Sequence, residues 1–131
     1  MTDPAARLRI EDNGQCMVVS LSGEIDAYMR PILERRLHEL PGADQRVVLD
    51  LAAVEFMDSA GLGLIAAIHQ RVSPGRRPVC TVLLPEQRHL RKTFEISGVG
   101  GVVALYDSLD EAVEACCRQH DAEHGAVPDM A

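Results

Sequence analysis

Only one lysine, Lys92, occurs in the 131 residues, and the chain sets 13 basic against 20 acidic residues for a formal net charge of −7. Contact with nucleic acid needs a clustered cationic surface to neutralise phosphates, so this balance argues against a nucleic-acid partner. The densest basic runs are the pairs Arg35-Arg36 and Arg76-Arg77, which read as solvated faces. No apolar stretch approaches the ~20 residues that span a bilayer, which argues against direct membrane insertion. The opening Met1-Thr2-Asp3-Pro4 has neither the basic nor the apolar region of a signal peptide, so a cytoplasmic protein is expected. Internal repeats are lacking too. There are four cysteines, Cys16, Cys80, Cys116 and Cys117, and in a reducing compartment an even count does not imply disulfides. Cys80 sits inside an apolar run and reads as a small core residue.

What is present suits one compact domain: 47% apolar residues, enough for a core, and 25% charged residues. Residues 8–11 alternate apolar and polar, Asn13-Gly14 suits a tight turn, and 16–21 reads as a second strand, together an N-terminal β-hairpin. Gly23 breaks the pattern. Asp26 then precedes a helix carrying Met29, Leu33, Leu37 and Leu40, with Pro31 in its first turn and Pro41-Gly42 at its end. Residues 47–51 form a short apolar run, as expected of a strand covered on both faces.

A second helix starts near Ser59, with Leu62, Ile65, Ile68 and Val72 on one face, and is stopped by Ser73-Pro74-Gly75. Residues 79–84 read as a buried strand. Pro85 and Glu86 open a third helix, with Leu90 and Phe94 inward and Gly98 past its end. Residues 102–106 make the last strand, and Ser108-Leu109-Asp110-Glu111 is a capping box for a final helix to about Gln119. The order β-β-α-β-α-β-α-β-α predicts a single α/β domain. Its sheet is mixed, an antiparallel hairpin plus parallel strands, with about four helices packed on it. The expected bounds are an N-terminal extension over 1–7, the domain over 8–119 and a flexible tail over 120–131.

The segment Phe56-Met57-Asp58-Ser59-Ala60-Gly61-Leu62-Gly63 joins the central strand to the second helix. Loops beyond the carboxyl ends of parallel strands are where open α/β sheets hold their sites. Asp58 suits an N-cap, and Ser59 then stands at the helix N-terminus with its hydroxyl able to face solvent. Ala60 and Gly61 are small, so another protein could approach closely. A phosphate on Ser59 would add about −1.5 to −2 charges, tolerated by the helix end but opposed to a docked partner beside Asp58. The plainer reading is that Asp58 and Ser59 only cap a helix, and the residues by themselves leave both open.

Gly23-Glu24-Ile25-Asp26 and the segment from Phe56 to Gly63 resemble the two signature segments of the STAS-domain anti-sigma factor antagonists. The stretch 88–99, with Phe94 and Ser97-Gly98-Val99, resembles that family's third helix and its exit. The likeness covers about residues 8–117. It implies a mixed sheet with helices on it, no catalytic residues, no metal and no cofactor. It implies as partner an anti-sigma factor with serine kinase activity. The unphosphorylated antagonist sequesters that factor and frees the sigma factor; phosphorylation, using ATP and magnesium, ends the complex. A protein phosphatase restores it. By motif position the phosphoacceptor is Ser59, and the partner-binding residues are Asp26, Asp58, Ser59, Ala60, Gly61 and Leu62. Relatives often carry Ser or Thr after the acceptor; here Ala60 leaves Ser59 as the only hydroxyl in the loop.

Rival readings find less support. A nucleophile elbow needs glycine two residues before the serine, where Met57 stands. A phosphoaspartate site at Asp50, at the end of a strand, would want further acidic residues and a placed lysine. Cys116, Cys117, His120 and His124 could be read as a zinc site, but adjacent cysteines are poor joint ligands. His38, His69 and His89 read as surface or satisfied packing positions. The remaining alternative is the same domain as a scaffold or regulatory subunit of a stress-signalling or membrane transport complex, without direct action on a sigma factor.

Overall fold

The computed structural model describes residues 7–40, 46–72 and 78–123. Along the chain run β1 (Leu8–Asp12), β2 (Met17–Ile25), α1 (Met29–Glu34), β3 (Val47–Met57), α2 (Ser59–Val72), β4 (Val79–Val82), α3 (Arg88–Ser97), β5 (Val103–Tyr106) and α4 (Leu109–Glu123). The order matches the alternation read from the sequence. Five strands lie side by side in chain order. β1 is antiparallel to β2, and every later neighbour is parallel. The expected helix stops at Pro41-Gly42 and Ser73-Pro74-Gly75 lie outside the described residues, as does the chain from residue 124 onwards.

Alternation along the strands divides the interior in two. On one face Val19, Leu21, Leu49 and Leu51 pack with Leu33 of α1, Leu64, Ile65 and Ile68 of α2, and Leu90 and Phe94 of α3. On the other, Val18, Val48, Cys80 and Val82 pack against Ala112, Val113, Ala115 and Cys116 of α4. Leu64, Ile65 and Ile68 are wholly buried. At about 1.5–3 kcal/mol for each aliphatic side chain removed from water, they anchor α2, and with it the loop at its start, to the sheet.

Several boundaries differ from expectation for local reasons. The hairpin connection spans residues 13–16 between the paired Asp12 and Met17, longer than a two-residue turn. Asn13 Oδ1 accepts the amides of Gln15 and Cys16, both at 2.9 Å, and Gly14 takes φ 92°. Gly23 does not end β2. It adopts φ 74° at an irregularity in the pairing with β3, and the strand continues to Ile25. α1 stops at Glu34 and a single 3-10 turn, Leu37–Glu39, carries Leu37. α4 runs to Glu123, past the Gln119 expected. Ser108 Oγ accepts the Glu111 amide at 3.2 Å, the serine half of the capping box.

The largest difference bears on the site. β3 extends to Met57, well beyond the apolar run at 47–51. Its pairing with β4 ends at Asp50, but its pairing with β2 continues to Met57. Gln87, just before α3, donates from Nε2 to the carbonyls of Leu51 at 3.0 Å and Val54 at 2.8 Å, while its Oε1 accepts the Leu84 amide at 2.7 Å. Carbonyls left by β4 are thus satisfied by a side chain, as half-buried backbone requires. Asp50 therefore lies within the strand rather than at its end, and its Oδ1 turns back to accept the Ala52 amide at 3.0 Å.

Candidate functional site

Parallel register puts the last residues of β2 and β3, Ile25 and Met57, side by side. Asp26 and Asp58 each follow immediately, so two acids sit at the carboxyl ends of adjacent central strands. Asp58 N donates to Ile25 O at 3.3 Å, which ties the two loops together.

Each aspartate caps the helix after it. Asp58 Oδ1 accepts the amides of Ala60 at 2.9 Å and Gly61 at 3.1 Å, and its carbonyl accepts the Leu62 amide at 3.0 Å. Asp26 Oδ1 accepts the Met29 amide at 3.0 Å and its carbonyl accepts the Arg30 amide at 2.9 Å. Replacing a capping aspartate by alanine costs about 1 kcal/mol. Asp58→Ala, which frees two amides rather than one, is expected to lower stability more than Asp26→Ala in urea denaturation. Equal midpoints for both variants and the wild type would contradict this geometry.

Ser59 is the first residue of α2 and is exposed. Because Asp58 makes the cap, the serine hydroxyl is not consumed by the fold. Of the other residues named from the sequence, Asp26, Asp58 and Ala60 are half-buried. Gly61 and Leu62 are buried, and this corrects the idea that Gly61 keeps an outer surface small. A β-carbon on Gly61 would stand 2.5 Å from Ile25 O and would overlap Met57 Cγ. The glycine is needed on the inside, where the helix start presses on the ends of β2 and β3. Gly63 differs, since the atoms nearest to a β-carbon there belong to the flexible guanidinium of Arg30.

Three site features were not read from the sequence. Tyr28 and Phe56 are exposed at 72% and 40%, one in the turn after Asp26 and the other near the end of β3. Both flank the loops that carry the acids, and their signal was position: each lies two residues from an aspartate of the signature segments. Arg30 is the third, paired to Glu34 through Nε at 3.2 Å and resting against α2.

The side groups weighed as rival sites fall elsewhere. The Cys116 thiol faces the sheet and donates to Val47 O at 3.5 Å. Hydrogen bonding to Cys80 and burial push it far above its ordinary value, and burial pushes Cys16 up to about 11. Thiols held neutral in this way are poor nucleophiles and poor ligands. The side chains of His120 and His124 lie outside the described residues. His38 donates from Nδ1 to Arg35 O at 2.8 Å on the surface, and His89 is exposed.

His69 departs from expectation. It is buried in α2 and its Nδ1 has no hydrogen-bond partner. Burial holds its pKa below the ordinary 6.5. The unfolded chain therefore binds the proton more readily than the native one, so stability is full above about pH 6.5 and falls as pH drops beneath it. In His69→Leu the fall in melting temperature from pH 7.5 to 5.5 is expected to shrink; an unchanged fall would contradict the burial argument.

The mixed, open α/β sheet thus places a capped, serine-bearing helix start beyond the end of a central strand. The STAS domain family model matches residues 7–112, and the chain belongs to that family, among the anti-sigma factor antagonists. It is 29% identical over 106 residues to the anti-sigma F factor antagonist of Paenibacillus polymyxa, covering 78% of this chain and 87% of that one. Against the anti-sigma-B factor antagonist of Bacillus subtilis it is 31% identical over 107 residues, covering 80% and 94%. Its fold superposes on the crystal structure of an anti-sigma factor antagonist from Mycobacterium paratuberculosis with a TM-score of 0.68 and 30% identity, covering 88% and 98%. Among the described residues no helix is long and apolar enough to cross a membrane.

Proposed function

We propose that this protein is a non-enzymatic anti-sigma factor antagonist switched by phosphorylation of Ser59. Unmodified, it binds an anti-sigma factor with serine kinase activity and so releases a sigma factor. Phosphorylated, it lets go. A phosphatase acting on phospho-Ser59 restores binding.

The observation that carries this reading is the division of labour at the start of α2. Asp58 holds the first-turn amides while the adjacent Ser59 is exposed. A phosphate there would sit at the positive end of the helix dipole, so the fold would tolerate it. A docked protein would meet a dianion beside Asp58, with Asp26 on the neighbouring strand end. Desolvation and like-charge repulsion would then both oppose binding. Relatives named as antagonists of anti-sigma F and anti-sigma-B factors support the choice of partner class.

Incubation with a cognate serine kinase, ATP and magnesium is expected to add the mass of one phosphate to the wild type and none to Ser59→Ala. In cells Ser59→Ala should keep sigma-dependent transcription on. A labelled Ser59→Ala protein, or an unlabelled wild type, would sink the assignment.

A further inference from the structure

Arg30 reaches from α1 across to α2. A β-carbon built on Gly63 would overlap its Nη1 and stand 2.9 Å from its Cζ. The guanidinium therefore lies against the glycine, in the space where a side chain at position 63 would begin. Position 63 is four residues after Ser59, so the two share one face of α2, one turn apart. Residues so spaced have Cβ atoms about 5–6 Å apart and interact when oppositely charged. Helical side chains also lean towards the N-terminus, which is towards Ser59. An arginine from α1 thus occupies the seat from which an i+4 cation would meet a charge on Ser59.

In the unmodified protein that guanidinium faces Glu34, with Nε to Oε2 at 3.2 Å and side-chain exposures of 37% and 36%. A pair so wet is weak and exchanges easily. A phosphate offers more charge than a carboxylate and matches the planar fork of a guanidinium, giving paired N–H···O bonds.

We propose that Arg30 receives the phosphate of Ser59: modification draws the guanidinium off Glu34 and onto the phosphate. The phosphate then bridges α1 to α2, and the Glu34 carboxylate is left uncovered on α1. Phosphorylation accordingly changes the surface in two places. Arg30 is a positioning residue for the switch, and Gly63 is conformational room kept for it. The inference rests on the reading that Ser59 is the phosphorylated residue.

The test uses full-length protein with phosphoserine installed at position 59 during translation, so no kinase is needed. The phosphate is titrated by phosphorus NMR in the wild type, Arg30→Gln, Arg30→Lys and Gly63→Ala, with circular dichroism confirming that each is folded across the pH range. Phosphoserine has a second pKa of about 6, and a neighbouring cation lowers it. In Arg30→Gln the value is expected to rise by about 0.5, as a partly exposed opposite charge warrants. Arg30→Lys should rise less. Gly63→Ala, which keeps the charge but fills its seat, should rise as well. A merely structural arginine would not move this titration in folded protein. Superimposed curves for the wild type and Arg30→Gln would overturn the pairing and leave the switch standing. A Ser59 that no kinase labels would overturn the switch and leave the titration result intact.

Discussion

Gly61→Ala is expected to destabilise the protein by about 2 kcal/mol or more, the usual scale for forcing a methyl into a closed interior. Alanine is the better helix former by about 1 kcal/mol, so propensity alone predicts a gain. Packing decides otherwise. The new methyl would meet Ile25 O at 2.5 Å, and a backbone carbonyl at the end of a paired strand cannot step aside. It would also overlap Met57, which is buried. Relief requires α2 to lift from the sheet, disturbing the Leu64, Ile65 and Ile68 contacts beneath it. The melting temperature should fall by about 10 °C for a domain of this size. Gly63→Ala is the control, since the atoms nearest its methyl are the movable end of the Arg30 side chain, and it should be near neutral. Similar melting temperatures for the two variants would contradict the account of how the loop is seated.

The second large effect concerns binding. Ser59→Glu should fold like the wild type, because the position is exposed and an acid in the first turn of a helix is favoured. Its affinity for the anti-sigma kinase should nonetheless drop. A carboxylate at position 59 would find no partner on the docked protein and would be desolvated beside Asp58, which costs about 2–5 kcal/mol. The lower bound corresponds to roughly 30-fold in Kd. Raising the salt concentration should recover little of this, because charges excluded from water are poorly screened. Unchanged affinity by calorimetry would rule out charge as the means of release.

Much of the fold was legible because local chemistry and tertiary packing agree. Alternation in 8–11, the apolar runs at 47–51 and 79–84, and the spacing of Leu62, Ile65, Ile68 and Val72 all report faces that are buried. Legibility failed where a distant group decides the outcome. β3 reaches Met57 because its pairing with β2 continues that far, while Gln87, more than thirty residues later, satisfies the carbonyls of Leu51 and Val54. Gly23 reads as a breaker, but as a bulge it lets β2 go on to Ile25, which is what brings Asp26 level with Asp58.

The site shows the same division. Ser59 and its cap were readable from the motif, since Asp followed by Ser at a strand-to-helix junction has local consequences. Gly61 was visible as small, but the direction in which smallness matters depends on Ile25 and Met57. In the sequence Arg30 is one charge among several between residues 29 and 40, with nothing local to single it out. Only the approach of α1 to α2 sets it beside Gly63. His69 carried no sequence mark of its burial beyond its place on the α2 face.

The most direct test titrates the purified anti-sigma kinase with this protein carrying either Ser59 or phosphoserine 59, by calorimetry, alongside amide NMR spectra of both forms. The expected result is a loss of about 30-fold or more in affinity on phosphorylation, with spectral changes confined to α1 and the start of α2. Equal affinities, or a phosphorylated form whose spectrum shows the sheet itself unfolded, would contradict a switch that works by charge on an intact domain.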